Sequence, residues 1–257
     1  DDIIIAILAF STTIITWIAF RIYSGSFSIL FSFWDSSDAV LYTLMSSGKA
    51  RGQDMIYKNH NIRYTEALNP LPVHRLIYRI FRIFTLGQYR LAQLLYTLFF
   101  SVLSALIFKR FLISYSIVKS PLYTTILFCL FPLRFVLIRS LPTYDTLFIS
   151  LIFLSFLLYR LGFHFSLIAV ITIATFTRFE GFLLFIIFII LYALRSDISS
   201  LISIGTATFS VFLIINIRYP NYTQYIIPLN RIKSVNGESF QMSPFFYYFN
   251  LRRSISN

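Results

Sequence analysis

The length of its apolar runs is the feature that most constrains this chain. A helix needs about 20 mostly apolar residues to cross the hydrocarbon core of a bilayer. Seven stretches approach that length: Ile3 to Tyr23, Leu91 to Phe108, Pro121 to Ile138, Thr146 to Tyr159, Leu161 to Thr177, Gly181 to Leu194 and Ile198 to Ile217. With 57% hydrophobic and 12% charged residues, the 257-residue chain has too little polar surface for a water-soluble globule. We therefore predict an all-α, polytopic integral membrane protein with about seven transmembrane helices in a single domain, residues 1–257.

Two polar segments interrupt or follow these runs. Residues 24–90 form a long first loop that is too polar to span the membrane. Within it, residues 71–84 place apolar side chains at helical spacing with arginines between them, which is typical of a helix lying in the membrane interface. Residues 218–257 form a water-facing tail with aromatic clusters. Counting spans from the N-terminus puts the long loop, the turn at 178–181 and the tail on one side of the membrane.

That side is expected to carry the chemistry, because seven of the ten acidic residues fall on it. The short connections on the N-terminal side hold five Lys or Arg residues, against three in the short connections opposite. This bias favours the N-terminal side as the cytoplasmic one. The sequon Asn221-Tyr222-Thr223 lies on the opposite side, in agreement with a lumenal position there. Asp1 and Asp2 stand where a signal peptide carries positive charge, so we expect the first helix to be retained.

The formal charge of +12 is high for so apolar a chain and indicates anionic partners. Of the 22 basic residues, 17 are arginines and 5 are lysines. Arginine can hold a phosphate through two parallel hydrogen bonds, which a lysine cannot do. We therefore predict phosphate-bearing lipids as partners, and no nucleic acid.

The first candidate site is Trp34-Asp35-Ser36-Ser37-Asp38, directly after the first predicted helix. Two carboxylates three residues apart can share one face of a helical turn. At a membrane surface such a carboxylate could act as a general base on an acceptor hydroxyl, or hold a metal near a phosphate. The alternative is an interfacial cap, with Trp34 at headgroup level and an aspartate starting the next helix. The residues alone leave both interpretations open.

The second candidate, Arg178-Phe179-Glu180-Gly181, interrupts an apolar run of over thirty residues. Ionisable groups placed there are costly unless they face a cavity or mark a turn. Arg178 could bind a lipid-linked phosphate at membrane depth. Alternatively, Arg178 and Glu180 pair with each other in a tight turn.

The third candidate surrounds the start of the fourth apolar run. Arg134 and Arg139 precede Ser140-Leu141-Pro142-Thr143-Tyr144-Asp145. Hydroxyl residues before a helix and an acid in its first turn are ordinary caps. Two arginines beside an acid and a proline also suit an anionic headgroup, and the sequence does not decide between these interpretations.

Several other chemistries lack their motifs. The sequence has no Gly-rich phosphate loop, no Cys/His metal cluster and no G-x-S-x-G elbow. We therefore predict no dedicated metal site. A channel or carrier stays open as an alternative, because intramembrane charges also mark transport paths.

The order of these motifs resembles the polytopic glycosyltransferases that use polyprenyl-phosphate sugars, the GT-C superfamily. The closest likeness is to the PIG-V family of second GPI mannosyltransferases, over roughly Phe33 to Leu194. The segments that resemble the family motifs are Trp34-Asp35, Asn69-Pro70-Leu71-Pro72, Phe131-Pro132 with Leu141-Pro142-Thr143-Tyr144-Asp145, and Thr177-Arg178-Phe179-Glu180-Gly181. This chain departs from the family where Asp145 replaces Glu and Phe179-Glu180 replaces Ser-Asn. It is also shorter than family members usually are, so we expect a reduced or truncated form.

The resemblance implies a GT-C-like fold and a hexosyltransferase of the endoplasmic reticulum membrane with its active face in the lumen. Its donor would be dolichyl-phosphate-mannose, and its acceptor a GPI-anchor precursor that receives a second, α-1,6-linked mannose with inversion. A small membrane subunit is an expected partner. Other GT-C enzymes of GPI or N-glycan assembly, or a non-catalytic transporter or accessory subunit, are the alternatives.

The same resemblance suggests roles for individual residues. Asp35 would be the catalytic base, with Asp38 the next candidate, because an inverting transfer needs a base on the acceptor hydroxyl. Positive charge must stabilise the leaving phosphate, and Arg178, helped by Arg134 or Arg139, would supply it. The remaining substrate-binding candidates are Trp34 and Tyr144, which could stack on sugar faces, with Asp145 and Glu180.

Overall fold

Helices dominate the chain. The computed structural model describes residues 1–24, 55–57, 60–62, 72–131, 136, 139–141 and 145–218. Its helices are α1 Asp2–Ser24, α2 Pro72–Phe84, α3 Tyr89–Tyr115, α4 Pro121–Leu130, α5 Asp145–Leu161, α6 His164–Thr175, α7 Phe182–Leu194 and α8 Ile198–Arg218. A 3-10 turn, Phe179–Gly181, precedes α7. The strands β1 Met55–Tyr57 and β2 His60–Ile62 pair in antiparallel fashion, with Met55 opposite Ile62. Apart from this short pair, the prediction of an all-α protein is confirmed for the described residues.

Three of the described helices are long and apolar enough to cross a membrane: α1 over Asp2–Ala19, α3 over Leu91–Tyr115 and α8 over Ile198–Ile217. The architecture is that of an α-helical membrane protein, as the composition predicted. The prediction of seven spans, and with it the GT-C-like architecture, is not supported by the described residues. Helices α4, α6, α7 and α5 have 10, 12, 13 and 17 residues. At 1.5 Å per residue they reach about 15 to 26 Å, short of the hydrocarbon core of about 30 Å.

Local chain reversals keep these helices short. Gly162, with φ of +78°, ends α5 in a Schellman turn, in which the Phe163 N–H donates to the Leu158 carbonyl at 3.0 Å. Ser196, with φ of +56°, ends α7 in the same way, and the Asp197 N–H donates to the Tyr192 carbonyl at 3.2 Å. A hydropathy pattern reports the number of apolar residues in a run and does not detect these chain reversals. Within the described residues the helices coincide with apolar runs, but three of these helices, and not seven, are long enough to span.

Helix α3 is the central helix of the unit formed by residues 1–213, because it packs against α1, α2, α4 and α5. Residues 214–257 group separately, and of these only the last turn of α8 is described. Helices α1 and α3 run antiparallel, and the Thr13 and Ser101 hydroxyls lie 2.8 Å apart between them. Ala9 and Ala105, both fully buried, share one cluster in their interface. Small residues at a helix crossing let the two backbones approach closely.

Contacts within this unit define two ends of the helix bundle. At end A, the Lys109 ammonium lies 2.7 Å from the Asp2 carboxylate, and the Arg160 Nε donates to the Ser114 carbonyl at 3.2 Å. At end B, the Trp17 indole N–H donates to the Ser140 carbonyl at 2.7 Å, near the start of α5. The predicted site residues among the described part of the chain lie toward end B.

Helix α2 occupies the segment predicted to be an interfacial helix. Tyr78, at 1% exposure, and Phe81 face the bundle, and the Phe81 ring lies 5.8 Å from the ring of Tyr96 in α3. The opposite face is apolar and exposed, through Leu76, Ile80, Ile83 and Phe84. An apolar face that points away from the packed helices is typical of a lipid-facing helix. The helix is thus confirmed, while its place at the membrane interface stays a prediction.

Candidate functional site

An arginine and two carboxylates meet where α5 begins and α6 ends. Arg178 Nη1 donates to Asp145 Oδ1, at the first residue of α5. Arg178 Nη2 donates to Glu180 Oε1 at 2.7 Å, and Arg178 Nε donates to Glu180 Oε2 at 3.2 Å. We call these three residues the end-B cluster. They join two of the three candidate motifs across 33 positions of sequence.

The turn between α6 and α7 sets the position of Arg178. The Arg178 N–H donates to the Ala174 carbonyl at 2.9 Å, and the Gly181 N–H donates to the Arg178 carbonyl at 2.9 Å. Gly181 is buried against the end of α6, where a side chain has no space: a methyl group there would lie 2.5 Å from the backbone carbon of Ala174. The glycine therefore allows the turn to close and aims Arg178 and Glu180 at the start of α5.

The end-B cluster carries two negative charges and one positive charge. Burial alone would raise the pKa of Glu180, but the hydrogen bonds and charge of Arg178 outweigh it and lower that pKa. Asp145 lies in the first turn of α5, where the positive end of the helix dipole also favours a carboxylate. Glu180 is therefore expected to be ionised near neutral pH, and the carboxylate oxygens of both acids can accept hydrogen bonds.

This geometry bears on the predicted role of Arg178 as a phosphate ligand. Three of the five N–H donors of its guanidinium are occupied by carboxylates. The Phe148 ring centroid lies 5.4 Å from the guanidinium carbon. The side chains of Arg178 and Asp145 are 24% and 21% exposed, and that of Glu180 is 45% exposed. Solvent thus reaches the carboxylates. Because the cluster already holds two acidic groups and one arginine, it is better suited to binding the hydroxyl groups of a ligand than to binding an anionic ligand.

Arg139 has different surroundings. It is 1% exposed, its Nη2 donates to Thr12 Oγ1 and to the Cys129 carbonyl, both at 3.0 Å, and the Phe128 ring centroid lies 5.5 Å from its guanidinium carbon. Its Nε and Nη1 atoms have no hydrogen-bond partner among the described residues, and neither has the buried hydroxyl of Ser140. Arg139 is therefore a buried cation that contacts α1 and α4.

The predicted site residues thus fall into three groups. Asp145, Arg178 and Glu180 are brought together, and Arg139 is buried between helices. The other five predicted residues lie outside the described part of the chain, and their roles stay predictions: Trp34, Asp35, Asp38, Arg134 and Tyr144.

Sequence reasoning missed the Thr12 hydroxyl beside Arg139, and it considered Ser140 only as part of the third candidate motif. Thr12 and Ser140 are buried, at 8% and 0% exposure, and Trp17 is hydrogen-bonded to the Ser140 backbone. The available signal was a Ser-Thr-Thr interruption, residues 11–13, within the otherwise apolar first run. Hydroxyl side chains inside a span often make hydrogen bonds between helices.

A second polar group missed from the sequence lies at end A. His164 Nδ1 is 2.6 Å from the Tyr192 hydroxyl and 3.3 Å from the Ser200 hydroxyl. Asp197 caps α8 by accepting the Ser200 N–H at 3.1 Å. Hydrogen bonds from Ser200 lower the pKa of Asp197, against a smaller effect of burial. These contacts connect the starts of α6 and α8 to the end of α7, a structural role that explains them.

No metal centre is apparent from the side chains that the structure describes. Groups of three or more His, Cys, Asp or Glu residues that could hold a metal ion do not occur among them. The end-B cluster contains two carboxylates, and an arginine already bridges them.

Comparison of the chain with known proteins gives no match. No protein-family model matches the chain, and neither the curated proteins nor the solved structures contain a significant match. The function must therefore be inferred from the side chains and their setting in a membrane protein.

Proposed function

We propose that the chain is a mannosyltransferase. It would transfer mannose from dolichyl-phosphate-mannose to a GPI-anchor precursor, as the second, α-1,6-linked mannose, on the lumenal face of the endoplasmic reticulum membrane. The observation that carries the proposal is the end-B cluster of Asp145, Arg178 and Glu180, at the ends of apolar helices. In this proposal, the sugar of the lipid-linked donor lies at that level of the protein. The resemblance to the PIG-V family supplies the identity of donor and acceptor.

The end-B cluster would bind sugar hydroxyls. Ionised carboxylates accept hydrogen bonds from hydroxyl groups, and such charge-assisted bonds are about twice as strong as neutral ones. Arg178 holds both carboxylates in place through its three hydrogen bonds, so they need little reorganisation when the sugar binds. In this proposal Arg178 is a positioning residue for the two acids.

The transfer itself needs a base and a leaving group. The base removes the proton of the acceptor hydroxyl as its oxygen attacks the anomeric carbon of mannose from the face opposite the phosphate. The bond between that carbon and the phosphate oxygen breaks, and dolichyl phosphate leaves with the electron pair. The anomeric centre is thereby inverted. We assign the base to Asp35, with Asp38 as the next candidate.

The experiment is a transfer assay with the purified full chain in detergent. Labelled dolichyl-phosphate-mannose and a GPI precursor with one mannose are mixed with the protein, and the lipid product is separated and sized. We expect a product with one additional α-1,6-linked mannose. Loss of a general base usually costs about 100-fold to 10,000-fold in rate, so Asp35→Asn should fall in that range.

A matched acid-to-amide control lies at end A. Asp197→Asn removes one carboxylate but keeps a good helix cap, because Asn caps helices about as well as Asp. It should leave the transfer rate unchanged. Asp145→Asn and Glu180→Gln should each reduce kcat/KM about tenfold, the effect of weakening one charge-assisted bond to substrate.

The same purified protein distinguishes an enzyme from a transporter or an accessory subunit. A transporter reconstituted in vesicles would move the lipid-linked sugar across the bilayer without changing it. An accessory subunit would show neither activity alone and would tolerate Asp35→Asn. In cells without this protein, the precursor that accumulates identifies the acceptor, and accumulation of an N-glycan precursor would redirect the proposal to that pathway.

A further inference from the structure

Two cationic side chains in the described part of the chain expose less than a tenth of their surface. They differ in whether an acidic side chain lies beside them. Lys109, at 7% exposure, lies 2.7 Å from Asp2 and 3.9 Å from Asp1. Arg139, at 1% exposure, forms no ion pair within the described residues. The fold thus supplies a counter-ion for one buried cation and none for the other.

An unpaired buried guanidinium is energetically unfavourable. The guanidinium group of arginine is a permanent charge in proteins, so the cost of burying it must be met by its surroundings. Removing a charge from water costs several kcal/mol unless an opposite charge and hydrogen bonds compensate. The Thr12 hydroxyl, the Cys129 carbonyl and the Phe128 ring supply dipoles and a ring quadrupole, but no opposite charge. An anion bound beside the guanidinium would offset this cost.

The unpartnered atoms define the chemistry of that anion. Nε carries one N–H and Nη1 carries two, so three of the five donors of Arg139 have no acceptor. The hydroxyl of Ser140, the next residue in sequence, also has none. Nε and Nη1 lie on different edges of the guanidinium, so a single anion can accept from only one of these two atoms. A phosphate group carries the required charge, and its remaining oxygens can accept from a second donor such as the Ser140 hydroxyl.

We propose that Arg139 and the Ser140 hydroxyl bind the phosphate group of a lipid phosphate inside the helix bundle, near end B. Phosphate binding at Arg139 stands on the geometry alone. Its identification with the donor's phosphate rests on the proposed function, and it gives Arg139, and not Arg178, the leading role in holding the leaving group. Because Arg139 is almost completely buried, neighbouring side chains must move for the anion to reach it, and binding should be slow.

The test is thermal unfolding of the full chain in detergent, after equilibration with inorganic phosphate or with sodium chloride at equal ionic strength. A ligand that binds only the folded state raises the apparent Tm. We expect phosphate to raise the Tm of the wild-type protein above that in chloride. Arg139→Met should abolish this difference, and Ser140→Ala should weaken phosphate binding severalfold. Equal Tm values for the wild-type protein in the two salts would overturn the proposal.

The behaviour without phosphate provides an independent readout. Replacing an unpaired buried charge by an apolar side chain of similar length is often neutral or stabilising. Arg139→Met should therefore be at least as stable as the wild type in chloride. Lys109→Met, the matched control, should be less stable because Asp2 loses its partner, yet it should keep the phosphate-dependent shift. If Arg139 is purely structural, Arg139→Met would instead be destabilised and the phosphate shift of the wild type would be absent.

Trp17 offers a local probe that does not depend on unfolding. Its indole N–H is hydrogen-bonded to the Ser140 carbonyl, so an anion at Ser140 should alter its fluorescence. The change should be absent in Arg139→Met and in Trp17→Phe. A phosphate-dependent change that persists in Arg139→Met would place the anion elsewhere and contradict the assignment.

Three ligands distinguish the sources of the phosphate. Dolichyl phosphate, an anionic phospholipid and inorganic phosphate are compared in the same assays. The strongest shift with dolichyl phosphate would connect the site to the donor, and a shift with phospholipid alone would indicate a headgroup. If the transfer assay fails while the phosphate shift persists, the proposed function is wrong and the phosphate site stands. If transfer succeeds but phosphate does not shift the Tm of the wild-type protein, the phosphate site at Arg139 is wrong and the proposed function stands.

Discussion

Gly181 is the residue whose replacement most directly tests how the end-B cluster is built. A methyl group at this position would lie 2.5 Å from the Ala174 backbone carbon and the Thr175 backbone nitrogen, and 2.7 Å from the Ala174 carbonyl oxygen. Ordinary contacts between non-bonded heavy atoms are about 3.5 to 4.0 Å, so the overlap is about 1 Å. All three atoms belong to the backbone at the end of α6, and no side-chain rotation can relieve the overlap.

The expected magnitude follows from two opposing effects. Overpacking of a well-packed site costs about 1 to 3 kcal/mol. Replacing glycine by alanine in a helical segment recovers about 0.5 to 1 kcal/mol. The two ranges leave a loss of about 0 to 2.5 kcal/mol for Gly181→Ala, and the central value of about 1.3 kcal/mol corresponds to a fall of about 3 to 5 °C in Tm for a chain of this size. Because the turn must move away from α6, the alignment of Arg178 and Glu180 with Asp145 should also be lost.

The assay compares this variant with the same substitution at a helical position that has space. Gly205 lies within α8, and a methyl group there would meet nothing within 4 Å. Gly205→Ala should raise the Tm by about 1 to 4 °C through helix propensity alone. Both variants are unfolded in the same detergent and tested for mannosyl transfer. Equal Tm changes for the two variants would show that the close approach of Gly181 to α6 is not real, and the account of the cluster would fail with it.

Three further predictions concern pH, an interhelical hydrogen bond and a helix end. Arg178 lowers the pKa of Glu180 in the folded state, so the stability that this acid contributes is complete above its unfolded pKa of 4.5. That stability is lost as the pH falls through the lower pKa of the folded state. The difference in Tm between the wild type and Glu180→Gln should therefore shrink from about pH 6 to about pH 3. A double-mutant cycle of Thr13→Val and Ser101→Ala should give a coupling of about 0.6 kcal/mol, and zero coupling would mean that their hydroxyls do not bond. Gly162→Ala should lower stability by about 1 kcal/mol despite the open space around it, because its φ of +78° disfavours a side chain; an unchanged Tm would contradict the Schellman turn.

The accuracy of the helix predictions varied with how the helices end. Helix α1 was predicted over Ile3 to Tyr23 and extends over Asp2–Ser24, because its apolar run is bounded by polar residues on both sides. The runs from Thr146 to Leu194 were located to within a few residues, but they became three helices too short to span. Their ends depend on left-handed residues and tight turns, which hydropathy does not report.

The candidate site was predicted in pieces. Asp145, Arg178 and Glu180 were each selected from the sequence, because charges are conspicuous in apolar runs. The ion pair between Arg178 and Glu180 had been one of the open interpretations, whereas the bond from Arg178 to Asp145 joins two motifs that had been treated separately. Arg139 was also selected, but its burial and its lack of a counter-ion could not be foreseen.

The amino-acid sequence by itself determined that this is a helical membrane protein with a polar first loop and an excess of arginine. Those properties follow from the free energies of transferring side chains from water to an apolar medium. These energies are summed over neighbouring residues and do not depend on the rest of the chain. The tertiary structure alone decided that α3 is central, that Gly181 contacts α6, and which buried cation has a partner. Such outcomes depend on residues far apart in sequence, since the energy of a buried charge is determined by the groups that the fold places beside it.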